Sequence, residues 1–187
     1  KEWLTVFRDH DFSWDMNSRD TMRIEDIRDL REFQFTEDAG PTAHPIQPAS
    51  YKEMNNFYTA TVYEKGSEVI RMMATLLWKE RFRTAMDLYF DTFDGQAVTT
   101  QDFVWAMATG WGIDLTQFEE TWYHQERTPG IKITTDYDAI ARTYRVNCIQ
   151  VIDKNTQWEE QKAFYYPLAI ALFAPDGSKL DLNLSNK

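Results

Sequence analysis

The sequence has 187 residues, of which 43% are apolar, and 30 acidic against 20 basic side chains give it a formal net charge of −10. This composition is typical of a globular chain and excludes an intrinsically disordered one, while the negative charge argues against nucleic acid or an anionic membrane as partner. No apolar run approaches the roughly 20 residues that a membrane-spanning helix needs. A single cysteine, Cys148, excludes an internal disulfide and favours a reducing, cytoplasmic location.

The negative charge is unevenly distributed along the chain. Residues 1–128 carry 13 basic and 23 acidic side chains, whereas residues 129–187 carry seven of each. This change of composition predicts two units that meet near residue 128. Because the sequence begins at Lys1 rather than at a methionine, we expect it to be an excerpt from a longer protein, called the parent below.

The first unit, residues 1–128, shows apolar residues at helical spacing and is predicted to be helical. Ser18 is the predicted N-cap of its second helix, and the segments at 99–102 and 114–117 have the spacing of capping boxes. Three prolines and a glycine between residues 37 and 48 predict an irregular loop. Apolar residues at near-helical spacing are Met22, Ile24, Ile27, Leu30 and Phe33 before this loop, and Val69, Met73, Leu76 and Leu77 after it.

After Pro129 the apolar residues alternate with a period of two, which predicts β-strands. Three strands are expected, at residues 130–138, 143–152 and 165–174, followed by a hairpin turn at 175–178. A cysteine in such a strand, here Cys148, is usually a core residue. The fold class is therefore predicted to be α+β, with a short β unit that lacks the strands needed to complete a sheet.

The residues themselves carry few signs of chemistry. The histidines His10, His44 and His124 lie too far apart in sequence to form a local metal-ligand pair, and no HExxH, CxxC or glycine-rich phosphate loop is present. His44, between an alanine and a proline, is expected to brace a loop. Tyrosines at the mouth of a helix, such as Tyr58 and Tyr63, are most often packing residues with a polar tip, so this pattern alone leaves the function open.

Several segments together resemble the bacterial alanyl aminopeptidase (aminopeptidase N) family of gluzincin zinc peptidases. The resemblance implies a protein that removes amino-terminal residues from peptides. It also implies that residues 1–128 form the mostly helical rear half of a thermolysin-like catalytic domain, and that residues 129–187 begin an incomplete β-sandwich domain. The segments that carry it are "KEWLTVFRD" at 1–9, "AHPI" at 43–46, "EMNNFYTATVYEKGSEVIRMM" at 53–73 and "TTQDFVWAM" at 99–107.

The same resemblance implies roles for four residues. Glu2 takes the place of the third zinc ligand, and Tyr63 that of the tyrosine which donates a hydrogen bond to the tetrahedral oxyanion. Tyr58 is expected to line the same cleft, as is Asn55. The family's HExxH helix, with two ligands and the general base, and its GAMEN segment would precede residue 1. The parent is therefore expected to bind one zinc ion and peptide substrates, whereas this chain without the remainder of the parent is expected to be inactive.

Two tryptophans stand where the family has glycine. Trp3 is expected to crowd the metal beside Glu2, or alternatively to pack into the core beside Phe7. Trp78 replaces a glycine that would suit a left-handed helix end, a conformation that tryptophan disfavours. Two other functions remain open from the sequence: a non-catalytic, acidic helical module that binds a partner, and a relative of the family that has lost zinc.

Overall fold

The computed structural model describes residues 2–151 and 161–182, with helices up to residue 122 and strands from residue 130 onward. The helices are α1 (Glu2–Met16), α2 (Arg19–Asp29), α3 (Phe35–Ala39), α4 (Gly66–Phe93), α5 (Thr100–Trp111) and α6 (Thr116–Trp122). The strands are β1 (Gly130–Asp138), β2 (Thr143–Val151), β3 (Leu172–Phe173) and β4 (Lys179–Leu180), and they pair antiparallel as β1 with β2 and β3 with β4. The predicted α+β class is confirmed.

The core of the molecule lies between α4 and α5. Val69, Met73 and Leu77 of α4 are completely buried, as their helical spacing predicts. The two helices approach closely because Gly110 of α5 has no side chain: a Cβ at this position would lie 2.7 Å from the Cβ of Ala85. Helix α1 packs on α4, and the core is completed by Ile46, Ile70, Phe103, Val104, Ala106, Met107, Leu115, Phe118, Trp122, Tyr123 and Phe164.

Helix α2 begins where the sequence predicts and continues through a π-helical turn (Leu30–Gln34) into α3. The Ser18 hydroxyl accepts a hydrogen bond from the backbone N–H of Thr21 at 3.5 Å, which confirms the N-cap. The apolar residues of this segment do not all reach the core, since Ile24 is 68% and Phe33 is 58% exposed.

Of the two predicted capping boxes, only the one at residues 99–102 forms. The Thr99 and Asp102 side chains each accept a hydrogen bond from the other residue's backbone N–H, so both donors are satisfied. The capping box predicted at 114–117 is wrong. Asp114 instead accepts from the N–H of Thr116, two residues on, at 2.8 Å, and the residue at the N-cap position, Leu115, has no side-chain acceptor.

Helix α4 is interrupted by a kink at Trp78, where φ is 60° and ψ is 154°. The positive φ confirms that this position suits glycine, but the ψ value lies outside the left-handed helical region expected from the sequence. Such a combination is almost confined to glycine and costs about 1–3 kcal/mol for other residues. The indole makes up little of this cost by packing, because it is 77% exposed.

Strands β1 and β2 form a two-stranded ribbon that runs from the pair Gly130–Val151 to the pair Asp138–Thr143. Every residue of β1 is exposed, and so is Cys148 of β2. The prediction that Cys148 is a core residue is therefore wrong. The reason is tertiary: within the described part of the chain no second layer covers the ribbon, so the alternation of apolar residues has no core to face.

The strand predicted at residues 165–174 is wrong except for the short β3. Residues 161–166, called the strap below, run without regular structure between α6 and β2. The strap's backbone pairs with side chains instead of with another strand: Gln150 bonds both the N–H and the C=O of Phe164, and Trp122 Nε1 donates to the C=O of Tyr165 at 2.7 Å. Pro167 lacks the N–H that a ladder would need. The hairpin turn at 175–178 is confirmed by Gly177, whose φ is 85°.

Candidate active site

A π-helical turn (Thr61–Lys65), called the Tyr63 turn below, carries the candidate tyrosine and runs directly into α4. Its first backbone donors are fixed by neighbouring side chains. Glu37 accepts from the N–H of Thr61 at 2.8 Å, and Thr59 Oγ1 accepts from the N–H of Val62 at 3.2 Å. Turns of this type occur frequently at functional sites, because they aim one side chain out of the regular helical array.

The structure brings three of the predicted site residues together. The rings of Tyr58 and Tyr63 lie with their centroids 6.1 Å apart and their planes inclined by 34°. Glu2 stands at the first residue of α1, the helix that contacts the Tyr63 turn. Burial raises the pKa of Tyr63, and the negative charge of Glu2 and the neighbouring Tyr58 raise it further. The phenol therefore keeps its proton at neutral pH and remains a hydrogen-bond donor.

Asn55 lies on a short 3₁₀-helical turn (Met54–Phe57) and is exposed. Its backbone carbonyl accepts from the N–H of Tyr58 at 3.1 Å. The side chain that shapes this turn belongs to the next residue, since Asn56 Oδ1 accepts from the N–H groups of Lys52 and Glu53. A role for the Asn55 side chain in substrate binding stays a prediction.

Trp3 packs in the interface between α1 and α4. A Cβ on Gly66 would lie 2.7 Å from Cδ1 of the indole, and the ring of Trp3 lies 4.8 Å from that of Tyr123. This matches the alternative of core packing, in which Trp3 joins Phe7 against the buried cluster. These contacts favour core packing of the indole, and the expectation that Trp3 crowds the metal beside Glu2 stays a prediction.

His44 braces the approach to the Tyr63 turn, as the sequence predicts. Its Nδ1 lies 2.8 Å from the backbone oxygen of Thr42, and its Nε2 lies 2.8 Å from Thr59 Oγ1. The same Thr59 hydroxyl accepts from Val62, so the histidine helps to fix the residue that caps the turn.

A buried ion pair, which was not among the residues predicted from the sequence, holds the other end of the turn. Lys65 is 4% and Asp38 2% exposed, with Nζ 2.9 Å from Oδ2. Burial alone would raise the pKa of Asp38, but the charge and hydrogen bond of Lys65, with hydrogen bonds from Thr128 and Arg127, hold it below its usual range. The carboxylate of Asp38 is therefore charged at neutral pH. Burial lowers the pKa of Lys65, and the charge and hydrogen bond of Asp38 oppose that shift. Lys65 Nζ also faces two oxygen acceptors, which suits the ammonium form.

A signal for Lys65 is present in the sequence. Val69 and Met73, four and eight residues after Lys65, belong to the apolar face that helical spacing predicts, so Lys65 falls on the same face. A lysine on a buried face needs an anionic partner, since an unpaired buried charge is strongly unfavourable. That partner, Asp38, lies 27 residues earlier, and no local pattern identifies it.

Comparison with known proteins places the chain in a family. The family model described as "Peptidase family M1 domain" matches residues 1–122. The chain belongs to peptidase family M1. Aminopeptidase N of Escherichia coli (strain K12) is 46% identical over 182 residues, and Aminopeptidase N of Haemophilus influenzae (strain ATCC 51907 / DSM 11121 / KW20 / Rd) is 47% identical over 179 residues. These matches cover 97% and 96% of the chain, so they extend past the helices into the strands.

The chain spans about a fifth of the length of these relatives, 21% and 20%. A crystal structure of Legionella pneumophila aminopeptidase A in complex with aspartic acid superposes with a TM-score of 0.67 at 26% identity. The superposed region covers 80% of this chain and 16% of the Legionella chain. The fold is thus shared with this aminopeptidase over most of the chain.

The residues present can supply part of a metal site. Among residues 2–151 and 161–182, no three His, Cys, Asp or Glu side chains come together as a metal-binding group. Glu2 is a carboxylate beside a protonated tyrosine, and an oxygen ligand of this kind suits zinc as one member of a set of three. In the same part of the chain, no helix combines the length and the apolar character needed to cross a membrane.

Proposed function

We propose that this chain is part of a zinc metallo-aminopeptidase that hydrolyses amino-terminal residues from peptides. Membership of family M1 and 46–47% identity to two bacterial proteins named Aminopeptidase N support the activity. The chain contributes one zinc ligand and the oxyanion donor. The remainder of the parent contributes the HExxH segment, with the other ligands and the general base.

Each site residue has a defined task in this proposal. Glu2 is one ligand of the zinc ion, which, when bound, acts as a Lewis acid toward the substrate carbonyl. Tyr63 donates its O–H to the oxygen that becomes negative when water attacks that carbonyl, and so stabilises the transition state more than the bound substrate. Tyr58 and Asn55 line the cleft that holds the peptide.

The convergence of Glu2, Tyr58 and Tyr63 carries the proposal. A phenol whose pKa is raised by burial, by the charge of Glu2 and by Tyr58 cannot act as a base or nucleophile at neutral pH, but it is suited to donate a hydrogen bond. It is also held by a turn whose backbone is fixed at several points. A donor held in this way needs little reorganisation when charge develops on the substrate.

The wider setting belongs to the same proposal. The partners are peptide substrates and the rest of the parent, with neither nucleic acid nor membrane among them, in keeping with the net charge of −10. The single cysteine favours the cytoplasm. Residues 1–128 are the rear half of the catalytic domain, and residues 129–187 begin the β domain.

The decisive experiment is Tyr63→Phe in the full-length parent, assayed with an alanine anilide. We expect kcat to fall by about 10²–10³-fold with a nearly unchanged KM, because the lost donor acts in the transition state. Tyr58→Phe is the matched control, because it removes the same hydroxyl from the neighbouring ring. Its effect should be smaller and should appear mainly in KM. Zinc content should equal that of the wild type in both variants.

Near-normal turnover of Tyr63→Phe would reduce Tyr63 to a packing residue. A folded parent without zinc or peptidase activity would favour the zinc-less or purely binding alternatives. The isolated 187-residue chain, freed of contaminating peptidases, should be inactive, because one carboxylate does not make a catalytic zinc site.

A further inference from the structure

The Lys65–Asp38 ion pair lies where three parts of the fold meet. Lys65 ends the Tyr63 turn, and Asp38 lies in α3. Residues 127–128, called the junction below, connect the helices to β1. Lys65 Nζ donates both to Asp38 Oδ2, at 2.9 Å, and to the backbone oxygen of Arg127, at 2.8 Å. The ammonium of one buried residue thus contacts the other two parts directly.

Asp38 completes the connection from its own side. It accepts from Thr128 Oγ1 at 2.7 Å and from the N–H of Arg127 at 2.8 Å, and its backbone oxygen accepts from the Arg127 guanidinium. Arg127 has a φ of 74°, a backbone conformation that a non-glycine residue keeps only when its surroundings enforce it. The junction is therefore fixed by the same carboxylate that neutralises Lys65.

We propose that Lys65 is a positioning residue for Tyr63, and that through Asp38 it couples the orientation of the tyrosine to the junction between the helices and the β unit. The role in catalysis rests on the proposed function above. Lys65 stands two residues after Tyr63 in one π-helical turn, so displacement of its side chain from Asp38 rotates the turn that aims the phenol. Lys65 itself touches no reacting atom in this proposal.

The arrangement favours positioning over a contribution to stability alone. A buried ion pair seldom stabilises a protein more than an apolar pair of the same volume, because both charges lose their hydration. The ion pair instead fixes geometry, because the Asp38 carboxylate accepts hydrogen bonds only from donors at defined positions. All of its described donors belong to the Tyr63 turn or to the junction. An error of about 1 Å at a catalytic donor can lower a rate by about 10²-fold.

The test compares four variants of the full-length parent. Lys65→Met removes the ammonium at nearly constant volume, and Lys65→Met with Asp38→Asn removes both charges, so that this variant folds even if the single one does not. Arg83→Met is the matched control. Arg83 forms an ion pair with Asp87 at 2.8 Å within α4, but its side chain is largely exposed. Thr128→Val probes the junction by removing one hydrogen bond to Asp38.

Two readouts separate this proposal from the proposed function. The first is the pair kcat and KM on an alanine anilide, with zinc content measured alongside. The second is the fluorine NMR signal of a fluorotyrosine placed at position 63, which reports the environment of the ring without requiring activity. If the wild-type parent is inactive but the double variant changes the fluorine signal, the result supports positioning and contradicts the peptidase function.

In an active parent we expect the double variant to lose up to about 10²-fold in kcat with little change in KM or zinc content, and to shift or broaden the fluorine signal. Thr128→Val should lose less, about tenfold at most, in the same direction. Arg83→Met should match the wild type. The proposal is overturned if the folded double variant keeps both the wild-type kcat and the wild-type fluorine signal.

Discussion

The helices and the β ribbon differ in the burial of their side chains. In the helical part, apolar residues such as Met73 and Phe118 are completely buried, and the charged residues Lys65 and Asp38 are buried as a pair. In the ribbon, all of β1 is exposed, and so is most of β2. The helical part therefore contains its own stabilising contacts, whereas the ribbon obtains little beyond its backbone ladder.

The strap shows how the two regions are joined. Phe164 packs on Trp122 of α6, with the ring centroids 4.7 Å apart, while its backbone pairs with the Gln150 side chain of β2. Phe164, which follows the ribbon in the chain, thus enters the helical core, and Tyr166 packs against it. The contrast teaches that the ribbon is held at one end, where the junction precedes Gly130 and the strap bonds Gln150, rather than across its faces.

The largest expected effect tests this contrast directly. Phe118→Ala in the 187-residue chain should lower the free energy of unfolding by about 3–5 kcal/mol, because Phe118 is completely buried and its removal leaves a cavity. Tyr137→Ala in β1 should lower it by less than about 0.5 kcal/mol, because this ring is exposed. Urea unfolding measures both, and equal losses would mean that the ribbon has a buried face of its own.

A second prediction concerns strain inside the stable region. Trp78→Gly should raise the free energy of unfolding by about 1–3 kcal/mol, since glycine adopts this φ and ψ without penalty. Trp78→Ala is the control: it removes the exposed indole but keeps the Cβ that causes the strain. If alanine stabilises as much as glycine in thermal and urea unfolding, the indole and not the backbone is responsible.

Helix capping gives a smaller effect in the same region. Thr99→Ala removes the side chain that accepts from the N–H of Asp102 and should cost about 1 kcal/mol. Thr116→Ala serves as the comparison, because Thr116 also begins a helix but takes part in its cap only through its backbone N–H. A loss at Thr116 equal to that at Thr99 in urea unfolding would contradict the assignment of the caps.

The smallest effect is one of pH. Burial raises the pKa of Glu64 above its usual value of 4.5, nearby carboxylates including Asp26 raise it further, and the charge of His10 opposes the shift. Because the folded state holds this proton more tightly, the contribution of Glu64 to stability falls as the pH rises through the window above 4.5. Glu64→Gln removes that loss.

The Glu64→Gln variant should therefore be more stable than the wild type at pH 7, by less than about 1 kcal/mol because water still reaches the side chain. The difference should vanish as the pH falls to about 4.5. Urea unfolding at both pH values checks this, with Glu25→Gln on the exposed side of α2 as the control. A difference that grows toward low pH would reverse the sign assigned to the shift.

The sequence by itself determines the features that depend on near neighbours. The N-caps at Ser18 and Thr99 and the turn at Gly177 are predicted correctly, since each depends on donors, acceptors or backbone preferences within a few residues. The positive φ at Trp78 follows instead from the resemblance, because the family has glycine at this position. The resemblance to the aminopeptidases adds Glu2 and the tyrosines as predicted site residues, but it does not place them in space.

Only the tertiary structure decides which distant residues meet. Lys65 finds Asp38 across 27 residues, and Thr128 reaches the same carboxylate from 90 residues away. The exposure of Cys148 and the irregular strap are decided in the same way, because strand patterning states which face is apolar but not whether a second layer covers it. The candidate site depends on both: the sequence supplies the phenol of Tyr63, and the packing of α1 on its turn brings the carboxylate of Glu2, whose charge adds to burial in raising the pKa of that phenol.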